Sequence, residues 1–210
     1  MTLGPVATQL QISGPRLPPE LVGPLRAILE RSTWGLWCTL YVDSSNAGGG
    51  ALTCPERPAH GWAWGARGRA TDVVADLLGA PRYLTLSGLS PEAGGKDSGV
   101  AELWGIVHAV RACLGAWPWL AGVGVRCDNL EAVNAVAGCD GRGRCDDGPR
   151  RLRPARHALC DVVSATGGVH LRATHVRGHG RADLDRQKAF NRDADLLARG
   201  AARSANRCRT

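Results

Sequence analysis

The stretch LYVDSSNAGGGAL, residues 40–52, sets an apolar run that reads as a buried β-strand directly before a bare aspartate, small residues and glycines. Removing a carboxylate from water is costly unless a partner compensates it. A single aspartate at a strand end usually caps a helix or opens a turn. Asp128, which ends the apolar run AGVGVRCD and precedes NLEAV, fits that reading because Asp is a favoured N-cap. Asp43 does not, since no helix follows it.

Around this stretch the chain reads as one domain. Residues 1–35 are rich in Pro and Gly about one short helical candidate and form an N-terminal extension; residues 36–203 carry the alternating elements; residues 204–210 are a basic tail. The strand from Trp37 to Asp43 is followed by GWAWGARG and RYLTLSGL as further strands. A long helix starts at Ser98 or Gly99, with Leu103, Val107, Val110 and Leu114 on one face. A strand ending at Asp128, the helices NLEAVNAVAG and PARHALCDVVSAT, the strand VHLRATHV and a last helix, NRDADLLARGAAR, complete the order. A meander followed by alternating strands and helices predicts an α/β fold, a mixed sheet with helices on its faces.

Two strand-end aspartates gain meaning from two further acids. Glu102, early in the long helix, shares a side with Ile106 and Ala109 and leans toward the sheet. On the last helix, Asn191, Asp195, Ala198 and Ala202 recur at helical spacing, whereas Asp193 is rotated by about 200° from Asp195. The small residues on its face select Asp195 over Asp193. Four converging carboxylates repel unless a hard divalent cation sits among them; Mg²⁺ takes such oxygen ligands, and two such ions make a phosphodiester hydrolysis site.

Composition narrows the partners. The net charge is +7, carried almost wholly by arginine, which suits bidentate phosphate contacts. The eight cysteines form no CxxC pair and several lie in apolar runs, which points to reduced thiols and a cytoplasmic protein. No apolar run approaches the ~18 residues that span a membrane.

In order, LYVDSSNAGGGAL, SGVAELWGIVHAV, VRCDN and HVRGHG followed by NRDADLLARGAA resemble the four motifs of the type 1 ribonuclease H family. The resemblance implies a ribonuclease H-like five-stranded mixed sheet flanked by helices. It also implies an endoribonuclease that hydrolyses the RNA strand of RNA/DNA hybrids and leaves 5′-phosphate and 3′-hydroxyl ends; a monomer is expected. Asp43, Glu102, Asp128 and Asp195 would hold two Mg²⁺ ions, with Mn²⁺ as an alternative, Asp43 bridging the pair. His179 matches the family's mobile histidine. Ser98 and Asn129 stand where contacts to the RNA 2′-hydroxyl are expected. Arg142, Arg144, Arg150, Arg151 and Arg153 replace a basic protrusion that grips backbone phosphates. Two other readings remain open: a catalytically inactive nucleic-acid-binding protein of the same fold, and a junction resolvase or transposase-type nuclease.

Overall fold

In this computed structural model the described residues are 37–46, 62–70, 82–94, 97–137, 139, 148–167, 169–177 and 186–207. The expected extension 1–35, His179, Arg142 and Arg144 lie outside them.

Five strands form one sheet: β1 (Trp37–Asn46), β2 (Trp62–Ala70), β3 (Tyr83–Ser90), β4 (Gly122–Cys127) and β5 (His170–His175). Their spatial order is β3-β2-β1-β4-β5. β1, β2 and β3 pair antiparallel, while β4 pairs parallel with both β1 and β5. Among the described residues four helices accompany the sheet: α1 (Ser98–Ala116), α2 (Leu130–Ala137), α3 (Arg153–Ala165) and α4 (Arg186–Arg207). The mixed five-stranded sheet matches the expected fold class. Among the described residues no helix is long and apolar enough to cross a membrane.

Two expected boundaries move. β1 does not end at Asp43 but continues to Asn46, because β2 pairs with it throughout, from Cys38 opposite Ala70 to Asn46 opposite Trp62. The last helix begins before Asn191, at Arg186, and runs through Arg207 into the segment expected to be a loose tail. No proline interrupts this run, and Phe190 anchors its start by stacking on Tyr41 and Tyr83, with ring centroids 5.2 and 6.2 Å apart.

Alternation along β1 divides the sheet into two faces. Leu40 and Val42 join Leu84, Leu86, Val123, Val125 and much of α1 in the main core. Tyr41 and Asp43 point to the other face, where α4 lies across β1 and β2. Its approach is very close: a Cβ placed on Gly65, the partner of Asp43, would lie 2.4 Å from the Ala194 carbonyl oxygen and from the Ala198 nitrogen. Among the described cysteines, Cys38, Cys113 and Cys127 are buried free thiols, and Cys139 is buried with its Sγ donating to the Ala135 carbonyl at 3.5 Å. Cys160 is disulfide-bonded, against the expectation of reduced thiols.

Gly65→Ala is therefore expected to push α4 off the sheet and cost about 1–3 kcal/mol or more of stability, read from the midpoint of urea unfolding. A variant as stable as the parent would show that α4 has room to shift.

Candidate active site

β1 and β4 run side by side only from Trp37 opposite Gly122 to Tyr41 opposite Arg126. Beyond that point β1 continues with β2 alone. The same register carried two residues further sets Asp128 level with Asp43. Both aspartates thus stand where neighbouring parallel strands part, a position that leaves room at the strand ends for a ligand.

Asp43 is buried, only 8% exposed. Burial pushes its carboxyl up to about 7, and Asp128 and Asp195 add to the rise; the Ser44 backbone N–H and Arg199 partly oppose it. Glu102 enters the split from the α1 side and is 6% exposed. Its Oε1 accepts from the Ser44 backbone N–H at 3.1 Å, and its Oε2 faces the Cys127 thiol at 3.5 Å. Burial first, then Asp43 and Asp128, hold this carboxyl well above the usual carboxylate range.

Local contacts set each of these groups in place. The start of α1 is capped by Asp97, whose Oδ1 accepts from the backbone N–H groups of Gly99 and Val100 at 2.9 and 3.2 Å. The Ser44 hydroxyl donates to the Ala101 carbonyl at 3.1 Å, tying β1 to the turn that carries Glu102. Asp128 is half-buried and does not cap α2. That role belongs to Asn129, whose Oδ1 accepts from the Ala132 N–H at 3.1 Å. The helix begins one residue later than the capping reading of Asp128 requires, so the Asp128 carboxylate is left for the cluster. His175 fixes its backbone, with Nε2 donating to the Asp128 carbonyl at 3.0 Å.

Asp195 is half-buried on α4 and acts on Asp43 from the opposite side of the split; Asp193 is exposed. Arg199, one turn along, donates from Nε to Asp195 Oδ1 at 2.7 Å. The i,i+4 spacing of this pair is visible in the sequence. The motifs do not single out Cys127, yet its Sγ lies within 4.8 Å of carboxylate oxygens of Glu102 and Asp128.

The donor set fits a hard cation. Burial and the Glu102 charge push the Cys127 thiol well up, so in the metal-free fold it stands as a donor to Glu102, and the carboxylate oxygens are the hard ligands of the set. Two buried carboxyls crowded by two more, with one arginine opposing, describe a place where a divalent cation relieves repulsion. Among the expected substrate contacts, Ser98 is exposed at the first turn of α1, and Asn129 has spent its Oδ1 on the cap. Arg150 is exposed, whereas Arg151 is paired with Asp97 and Glu131.

A folded Asp43 that holds its proton to about pH 7, against an ordinary value of 3.8, makes the metal-free fold lose stability as pH rises through that window. In chelator, Asp43→Asn is expected to be indistinguishable from the parent below pH 4. Above pH 7 it should be more stable by about 2–4 kcal/mol. Mg²⁺ should then raise the melting temperature of the parent and leave that of the variant nearly unchanged. A gap between the two proteins that does not grow with pH would remove the case for a strained Asp43.

No protein-family model and no curated protein matches this chain. Solved structures do. The N-terminal RNase H domain of a Mycobacterium tuberculosis protein, solved as a fusion with maltose-binding protein, aligns with a TM-score of 0.51 and 15% identity over 84% of this chain and 100% of its own. The prototype foamy virus RNase H domain in solution aligns at 0.50 and 17% over 81% and 97%. The protease–reverse transcriptase of the same virus aligns at 0.51 and 15% over 90% of this chain and 22% of its own. With the strand order and the helix placement described above, these alignments establish that the chain has the ribonuclease H fold.

Proposed function

We propose that this protein is an endoribonuclease that hydrolyses the RNA strand of RNA/DNA hybrids. The reading rests on one observation: Asp43, Glu102, Asp128 and Asp195 converge at the β1/β4 split, with Asp43 and Glu102 buried and held above their ordinary ionisation range. A structural core has no use for such a group. A pair of Mg²⁺ ions, held by Asp43, Glu102, Asp128 and Asp195, would supply an activated water and charge stabilisation at the leaving 3′-oxygen.

The chain's own residues do the rest. The Ser44 N–H and the Cys127 thiol orient the two oxygens of Glu102 toward the split. Arg199 holds Asp195 in one rotamer and tempers its charge. Asn129 uses its Oδ1 in the α2 cap, which fixes the side chain and turns its amide N–H₂ into a preset donor beside Asp128, suited to a ribose 2′-hydroxyl. Ser98 offers an exposed hydroxyl at the start of α1. His179 is assigned to proton transfer or product release on the resemblance of its motif. The overall charge of +7 favours a polyanionic substrate.

The test is cleavage of an end-labelled RNA/DNA hybrid in Mg²⁺, with duplex RNA, duplex DNA and a four-way junction alongside. Cutting confined to the RNA strand of the hybrid, with 5′-phosphate ends and none by Asp43→Asn, is the expected result. Binding of the hybrid without cleavage in either Mg²⁺ or Mn²⁺ would replace the enzyme by a binding protein. Junction cutting would move it to the resolvase class.

A further inference from the structure

Glu102 and Asp128 belong to segments whose starts are packed together. Glu102 lies on α1, five residues after its cap Asp97; Asp128 precedes α2, whose first turn carries Glu131. Gly99 marks how close the two helix starts come, because a Cβ there would sit 2.5 Å from Glu131 Oε2. The carboxylates of Asp97 and Glu131 therefore both lie at the N-terminus of α1. The helix dipole favours each of them, and each repels the other.

Arg151 resolves this conflict from a third segment. It sits in the 3₁₀ turn Arg150–Leu152 that leads into α3. Its Nε contacts Asp97 Oδ2 and its Nη2 contacts Glu131 Oε1, both at 2.5 Å. One planar fork thus spans two carboxylates on two helices, a geometry that an ammonium group does not reproduce. Each pair is half-exposed, so neither adds much to stability by itself. What the fork fixes is distance.

We propose, on the reading of the site as a divalent-metal centre, that Arg151 is a positioning residue for that centre. By binding Asp97 and Glu131 together it sets the start of α1 against the start of α2, and so the separation of Glu102 from Asp128. Two of its donors are then engaged within the protein rather than with substrate phosphate.

The direction of the effect separates this role from simple electrostatics. Deleting a positive charge from the protein, by itself, tightens cation binding or leaves it unchanged. Loss of the clamp loosens it. The experiment is calorimetric titration of Mn²⁺ alone into the full chain as wild type, Arg151→Met, Arg151→Lys and Arg151→Met/Glu131→Gln, with folding verified by thermal unfolding. Arg151→Met is expected to bind Mn²⁺ about tenfold more weakly, the scale of lost support around metal ligands. Lysine should restore only part of the loss, and Glu131→Gln should recover part of it by removing the repulsion. Should Arg151→Met fail to fold, Arg151→Lys carries the comparison. Equal or tighter binding by Arg151→Met, or full restoration by lysine, overturns the proposal. A wild type that binds no Mn²⁺ overturns the metal-centre reading, and the clamp with it, by an outcome that no variant is needed to see.

Discussion

Asp43 and Glu102 are kept in the interior with little opposite charge, and much of the local structure exists to hold them there. β1 has to give up its pairing with β4 at Tyr41 so that a carboxylate can stand in the gap, yet it must remain a strand, which the hairpin with β2 provides through Asn46. The Ser44 backbone N–H, one residue past Asp43, then serves Glu102, while the Ser44 hydroxyl secures the helix that carries it. The energetic load on this corner is electrostatic, and the apolar core beneath it absorbs that load.

The second requirement is proximity across the sheet. Asp195 reaches the split only because α4 lies almost on the backbone of β2, and the small side chains of Ala194 and Ala198 over Gly65 make that approach possible. At its start the same helix is held by the stacking of Phe190 on two tyrosines, with Arg67 and Arg126 over the faces of Tyr83 and Tyr41. The two faces thus deliver their acids differently: α1 by a capped start and a polar tie to β1, α4 by close packing of small residues.

Much of this was legible in the sequence because it follows period and polarity. The apolar run into Asp43, the helical spacing behind Glu102 and the small-residue face around Asp195 were each readable without tertiary information, and together they give the sheet and the helices that carry the acids. Contacts between distant segments were not readable. Whether Asp128 or its neighbour caps α2 turns on a one-residue difference in where the helix begins, and only the Asn129 hydrogen bond decides it. His175 looks like an ordinary strand residue until β5 is placed beside the end of β4. Arg151 has the composition of a phosphate contact, and its carboxylate partners are 54 and 20 residues away along the chain. The reach of β1 to Asn46 depends on a partner strand that the intervening glycines conceal.

The position of α4 also orders the assembly of the site in time. Asp43, Glu102 and Asp128 all precede Asp195 in the chain, so synthesis from the N-terminus completes three acids while the fourth is still to be made. Since α4 packs on a face built by β1 and β2, it has a surface to dock on only after that hairpin has closed. The corner of the sheet that concentrates negative charge is therefore complete only once α4 has docked on the strands, and a growing chain carries an incomplete centre until that helix has been made.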